Sequence, residues 1–363
     1  MNKLKVAVYA VCRNEAEFVD RWVNSMGEAD LVIVADTGST DGTVEKLRER
    51  GVEVKSVSVQ PWRFDMARNA VLNFIPDDFD VCVGTDMDEV FEAGWREKVE
   101  KAWAPGTNRL RYMFTWSFHP DGTPDKYFWF EKMHSKHGYR WVHAVHEKVH
   151  YYGEGTETYV TDGSVRLNHY PDWSKSRGQY LALLEVVMNE EPDQDRHMFW
   201  LGREYMYYGM WDEAIDRLQK HLEMPSAQWK EERAASMRYI ARSWQGKGDN
   251  ELAKQWFLNA IAQAPNARES YVEMARFAYQ FQDWPAVYHM VEEALKITEK
   301  PVSYLNEGFA WDWYVYDIGA ISCYYLGLYS KAEELAIKAL NLSPEDQRLK
   351  NNLNLIHQKL DKA

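Results

Sequence analysis

Leu31-Val32-Ile33-Val34-Ala35-Asp36-Thr37-Gly38-Ser39-Thr40-Asp41-Gly42-Thr43 sets an unbroken apolar run directly before a polar turn that carries two glycines. A run without a polar break reads as a strand buried on both faces, the habit of parallel sheets covered by helices. The glycines permit a tight turn, and Ser39, Thr40 or Asp41 can cap a helix beginning near Thr43. The same order recurs on either side. Val6–Ala10 runs towards Asn14-Glu15, and Val81–Gly84 runs into Asp86-Met87-Asp88-Glu89. Helical patterns over Glu15–Met26, Thr43–Arg50 and Asp65–Phe74 fill the intervals. Strand and helix in alternation predict an α/β domain, Rossmann-like and mostly parallel, with right-handed crossovers. Ligands of such sheets sit at the carboxyl ends of strands, where each of these polar turns falls.

After residue 178 the pattern changes. From Gln179 onward apolar residues recur at helical spacing, with almost no β-type run. Trp211–Leu222, Asn250–Ala264, Trp284–Ile297 and Tyr329–Leu342 each carry an alanine near the fourth position, namely Ala214, Ala253, Ala286 and Ala332. Each is followed by a proline: Pro225, Pro265, Pro301 and Pro344. The alanines lie 39, 33 and 46 residues apart. Paired helices with a period of about 34 residues resemble tetratricopeptide repeats, in which small residues let helices approach closely. Two domains are therefore expected. Residues 1–178 form the α/β domain, and residues 179–363 form an all-α tetratricopeptide-type solenoid. The repeats cover roughly residues 195–342 in four copies, and Pro344–Lys359 is the capping helix.

Composition narrows the function. Of 363 residues, 45% are hydrophobic and 27% charged, enough apolar material for ordinary cores. The net charge of −13 is spread evenly, −7 over residues 1–190 and −6 over the remainder. Neither part has the basic balance that grips phosphates, which counts against a nucleic-acid partner. The three cysteines, Cys12, Cys82 and Cys323, show no CxxC spacing. A disulfide framework or cysteine zinc site is excluded, and a reducing compartment fits. Met1–Val11 lacks the apolar region and cleavage site of a signal peptide, and no uncharged stretch reaches the ~18 residues of a membrane helix. A soluble, cytoplasmic protein without membrane insertion is expected.

The chemistry gathers at the strand ends. Asp86 and Asp88, one residue apart, suit Mg²⁺ or Mn²⁺, a hard cation that completes its shell with substrate phosphates and water. Asp36 can accept hydrogen bonds from a base or a ribose. Phe64-Asp65-Met66-Ala67-Arg68-Asn69, Val145-His146-Glu147 and Asn168-His169-Tyr170 follow as further blocks. Together with Val8–Glu15, Val32–Thr43 and the Asp-x-Asp pair, they run in order over about residues 4–178. On these blocks the chain resembles the inverting family 2 glycosyltransferases of GT-A fold. The similar branch is bacterial and phage, and often carries C-terminal tetratricopeptide repeats.

That resemblance implies a nucleotide-sugar donor, UDP-linked, and Mn²⁺ or Mg²⁺ as cofactor. Val11 and Arg13 fall where the family lines the uracil pocket, with Asn14 and Glu15 beside them. The opening Val11-Cys12-Arg13 differs from the family's small hydroxyl residue or Pro-Thr-Tyr, and so leaves the base open. Asp36 takes the place that holds base or ribose, and Arg68 that of a nucleotide-contacting arginine. Asp86, with Met87 next to it, faces ribose and sugar. Asp88 binds the metal between the two phosphates, and His169 is a late ligand to metal or pyrophosphate. The cation would stabilise charge growing on the departing nucleoside diphosphate. Inversion also requires a base on the acceptor side. Glu147 is the first candidate and His146 its competitor, with Asp121 and Asp125 behind them. Lys175 and Arg177 offer further cationic help or simply start an exposed helix. The reaction expected is transfer of a hexose or N-acetylhexosamine to a peptide, protein or glycan. Modified phage DNA bases are the alternative acceptor that the resemblance implies, the least favoured by the acidic charge. A concave solenoid face can hold an extended chain, and a homodimer through the helical domain is a further expectation. The alternative is an inactive GT-A scaffold whose repeats form a protein-binding module.

Two stretches are open to a second reading. His146-Glu147-Lys148-Val149-His150 spells the HExxH zinc-protease signature, which requires a helix. Its neighbours Tyr139–Val145 and Tyr151-Tyr152 are aromatic and β-branched and read as strand. Four residues of strand span roughly 13 Å, too far for both histidines to hold one zinc. Trp116, Phe118, Tyr127, Trp129 and Phe130 either line an acceptor cleft or fill a core. Trp311, Trp313, Tyr314 and Tyr316 read as core or interface.

Overall fold

The computed structural model describes residues 3–172 and 178–361. Lys175 and Arg177 lie outside the described residues. The chain divides into two compact units, Met1–Val187 with Val302–Tyr304, and Met188–Pro301 with Leu305–Ala363.

The first unit is built on an eight-stranded sheet in the order β3-β2-β1-β4-β7-β6-β10-β5. Its strands are β1 (Val6–Cys12), β2 (Leu31–Asp36), β3 (Glu53–Ser56), β4 (Val81–Thr85), β5 (Glu89–Phe91), β6 (Arg109–Phe118), β7 (Pro124–Ser135) and β10 (Tyr159–His169). Helices α1 (Val19–Met26), α2 (Thr43–Glu49), α3 (Phe64–Phe74) and α4 (Trp95–Ala102) connect them. Alternate residues of β1 enter different cores. Val6, Val8, Ala10 and Cys12 pack with Trp22 and Met26 of α1 and Trp95 of α4. Ala7 and Tyr9 pack with Val71 and Leu72 of α3 and with Trp141. With both faces covered, the strand needs no polar residue until it ends.

The expectation of a mostly parallel sheet is corrected to a mixed one. β3, β2, β1 and β4 run parallel, but β7 lies antiparallel to β4, and β6 antiparallel to β7. β10 is parallel to β6, and β5 antiparallel to β10. The reason is the short turn at His119–Thr123, where Gly122 takes φ 84°. A connection that short can only join antiparallel neighbours. Asp121 and Asp125 serve this hairpin: Asp121 accepts from Thr123 N at 2.9 Å, and Asp125 from Ser117 Oγ at 3.0 Å.

A separate two-stranded sheet pairs β8 (Tyr139–Val142) with β9 (Lys148–Tyr151). The strand read across the HExxH sequence is thus a hairpin. His146 sits in its turn at φ 50° and His150 in β9, so no helix aligns the two. The zinc-protease reading fails on geometry.

After α5 (Gln179–Glu190) the second unit consists of packed helix pairs. These are α6 (Asp195–Tyr207) with α7 (Trp211–Glu223), and α8 (Lys230–Gly246) with α9 (Asn250–Gln263). Then come α10 (Arg268–Gln280) with α11 (Trp284–Lys296), and α12 (Trp313–Tyr325) with α13 (Tyr329–Leu342), followed by α14 (Gln347–Leu360). Ala214, Ala253 and Ala332 are buried as the repeat pattern requires, whereas Val287 takes the buried place beside half-buried Ala286. Glycines supply the rest of the close approach. A Cβ on Gly319 of α12 would meet Val291 Cγ1 at 2.8 Å. The long spacing before Ala332 reflects an insertion between α11 and α12 that contains the 3-10 turn Gly308–Ala310.

Candidate functional site

In the parallel half of the sheet β2 and β3 extend to one side of β1, and β4 lies on the other. The strand order therefore reverses between β1 and β4, and the crevice at their carboxyl ends is where α/β sheets bind ligands. At the β1 end, Asn14 adopts φ 57° and is clamped to the loop after β2. Its N–H donates to Ser39 Oγ at 2.9 Å, and its Oδ1 accepts from Thr40 N at 2.8 Å. Glu15 N donates to Thr43 Oγ1 at 2.8 Å. Asp36 spends its oxygens on the turn itself, accepting from Gly38 N at 3.0 Å and Ser39 N at 3.1 Å. Val11 is half-buried and Arg13 exposed on this rim.

At the β4 end lies a cluster of opposed charges. Arg68 of α3 is buried, with its guanidinium over the Trp141 ring at 4.7 Å. It donates to Asp86 Oδ1 at 2.5 Å, Glu147 Oε1 at 2.6 Å and Thr85 O at 3.3 Å. Its neighbour Asn69 exchanges two hydrogen bonds of 2.8 Å with the Trp141 backbone, pinning β8 against α3. Gly84 makes room for that indole, since a Cβ there would meet Trp141 Cζ2 at 2.7 Å.

Lys132 of β7 donates to Asp86 Oδ2 at 3.0 Å and to Glu89 Oε1 at 3.2 Å. Burial opposes ionisation of Asp86, but Arg68 and Lys132 overcome it and hold the carboxyl well below the usual range. Glu89 fares differently. Burial pushes it up to about 7, and the carboxylates of Asp86 and Asp88 add to the effect against the pull of Lys132. Three carboxylates, Asp86, Glu89 and Glu147, thus face the two permanent cations, with Glu89 only partly ionised near neutral pH.

Asp88 Oδ2 lies 3.3 Å from His169 Nε2. His169 turns its Nδ1 to Trp116 O at 3.2 Å, and Trp116 stacks on the ring at 4.3 Å. Burial lowers the imidazole's proton affinity, but the Asp88 carboxylate outweighs it and raises the pKa. An imidazole anchored to a carbonyl through one nitrogen presents the other for ligation. Two ligands at neighbouring octahedral positions, each about 2.1 Å from an ion, stand about 3 Å apart. The Asp88–His169 pair has that spacing, but the imidazole proton stands between the two, and an ion would have to displace it. Among the described residues no group of three or more His, Cys, Asp or Glu side chains could hold a metal. An ion here would need its substrate.

Some expected residues lie elsewhere. Met87 points into the core with Val81 and Val83, not into the crevice. His146 packs edge-on to Tyr180 at 5.9 Å. Asp121 and Asp125 stay with their hairpin. Tyr112 and Phe114 fill the core, while Trp116 stacks on His169 and Phe118 on Tyr170. Lys132 and Glu89 went unassigned in the sequence. A lone lysine inside the aromatic run Tyr127–Met133 was the available signal, since a lysine is buried only when paired.

No family model matches the chain, and no curated protein matches it. Among solved structures it is similar to the C-terminal part of a TPR repeat-containing protein from Cytophaga hutchinsonii. The identity is 16% over 51% of this chain and 67% of that one, with TM-score 0.41. It is similar to MamA at 16% identity over 46% of this chain and 81% of that chain, TM-score 0.35. For pilF of Pseudomonas aeruginosa the figures are 12%, 47% and 70%, TM-score 0.38. The assignment to the family 2 glycosyltransferases is corrected accordingly: these comparisons return repeat proteins and not that family. The physical reason lies in the blocks that carried the resemblance. Each is short, most lie at a strand end and Phe64–Asn69 opens a helix, and acids in such turns also serve the turn itself, as Asp36 does. No helix among the described residues is long and apolar enough to cross a membrane.

Proposed function

We propose that the second unit is a protein-binding module. The observation that carries this reading is the series of four packed helix pairs from α6 to α13, interrupted by one insertion between α11 and α12. Each pair buries one side against the next and leaves another to solvent, so that repeated faces add up to an extended surface suited to a polypeptide.

A second reading concerns the first unit: a cation-dependent transferase that moves a hexose or N-acetylhexosamine from a nucleotide sugar, UDP-linked, to a peptide, protein or glycan. It is favoured by the carboxylates of Asp86, Asp88 and Glu147 gathered at a strand-order reversal, where α/β sheets take their ligands. Asp88 and His169 would hold Mn²⁺ or Mg²⁺ together with the diphosphate. The ion's chemistry there would be to offset charge growing on the leaving diphosphate. Asp86, fixed from both sides by Arg68 and Lys132, offers its exposed edge to hydroxyls of ribose or sugar. Glu147, held through one oxygen by Arg68, would take the acceptor's proton on the other. The three buried free cysteines, Cys12, Cys82 and Cys323, suit a reducing compartment such as the cytoplasm.

Calorimetric titration with Mn²⁺, with UDP and with both, followed by turnover of a nucleotide-sugar panel, separates the readings. Mn²⁺ alone should bind weakly, UDP should tighten it, and Asp88→Ala should abolish the gain. Absence of UDP binding and of turnover across the panel would make the first unit a scaffold and leave protein binding as the function.

A further inference from the structure

The second unit contains a cavity of about 240 Å³ whose wall is partly non-repeat. Arg242 and Gln245 of α8, Glu273, Arg276 and Gln280 of α10, and Glu307 and Phe309 of the insertion all line it. The insertion that stretched the repeat spacing thus closes the space between two repeats.

Inside, charge is cancelled. Arg238 Nη1 meets Glu307 Oε1 at 2.7 Å and pairs with Glu273. Arg242 donates to Glu273 Oε2 at 2.9 Å and to Glu307 Oε2 at 2.7 Å. The two arginines and two glutamates balance and fix the insertion to α8 and α10. Phe257 and Phe277 supply buried apolar wall. Arg276 differs: it is exposed and makes no hydrogen bond or ion pair among the described residues. Gln245 donates to Gln280 Oε1 at 3.1 Å, which leaves the Gln280 amide nitrogen as a donor beside it.

We propose that this cavity receives an acidic side chain with an apolar neighbour from an extended segment of a partner protein. The carboxylate meets Arg276 and the Gln280 amide, and the apolar group meets the Phe257–Phe277 wall. This rests on the protein-binding reading above. A carboxylate fits better than a phosphate, because Glu273 and Glu307 stand in the same wall and repel a dianion more strongly. A polyanion is disfavoured by the chain's net charge of −13.

Fluorescein-labelled synthetic peptides alternating Glu with Leu and Phe, and the same peptides with Gln for Glu, test this by anisotropy on the full chain. The Glu peptide should bind about tenfold more tightly, the worth of one charge-assisted hydrogen bond. Arg276→Gln should erase that preference while leaving the melting temperature unchanged, since the side chain is exposed. Binding of both peptides without preference for Glu, or a preference that survives Arg276→Gln, overturns the inference and leaves the protein-binding reading standing. Failure of both peptides to bind overturns the inference and counts against that reading as well.

Discussion

His134 shows how far a single side chain can be determined by its neighbours. It is fully buried, and its Nδ1 lies 2.8 Å from Ser135 O. A carbonyl oxygen only accepts, so Nδ1 carries the proton and Nε2 must accept. The Tyr9 hydroxyl therefore donates to Nε2 at 2.8 Å, and its oxygen accepts from Trp141 Nε1 at 2.8 Å. This directed chain fixes the indole on which Arg68 rests. Burial lowers the imidazole pKa to about 4, with Arg109 and Lys136 acting in the same direction. The unfolded side chain takes up a proton near pH 6.5, and the folded one only near pH 4. Protonation thus favours unfolding, and stability should fall by up to roughly 3 kcal/mol as pH drops through that window. Denaturant unfolding across the window should show the slope, and His134→Gln should flatten it. An unchanged slope in the variant would assign the pH dependence to other groups.

At the scale of elements, close packing and helix propensity compete at Gly202 of α6. A Cβ there would lie 2.6 Å from Leu218 Cγ and 3.2 Å from Leu218 N on α7. Alanine brings about 1 kcal/mol of helix propensity, but overpacking costs about 1–3 kcal/mol and here presses on backbone. Gly202→Ala should therefore lower the melting temperature by a few degrees, and a rise would mean that the pair opens freely. The elements themselves were largely legible. An apolar run ending in acids announced β1, β2 and β4, and alanines before prolines announced α7, α9, α11 and α13. The direction of β6 and β7 was not, because pairing depends on a partner strand and local composition is silent about it. The site followed the same rule. Asp86 and Asp88 could be found because a strand end locates them. Lys132 could not, because its partner Asp86 is 46 residues away in sequence. Met87 was misplaced because neighbouring residues there face opposite ways.

For the molecule as a whole, each unit has its own hydrophobic core. Among the described residues the first unit has clusters on both faces of β1, one with α1 and α4 and one with α3, and clusters of the second lie among α8 to α14. Separate cores predict two heat-absorption transitions in calorimetry, of which Gly202→Ala should shift only one. A single transition that moves intact in the variant would show that the units unfold together. The sheet order has one more consequence. Its two outermost strands are its shortest, Glu53–Ser56 and Glu89–Phe91, and the first carries Glu53 paired with Lys55 at 2.6 Å. Unpaired edges are where sheets of separate molecules fuse, and short or charged edges resist this. A nascent chain crowded by its own copies therefore meets little free edge on which a fibril could be seeded.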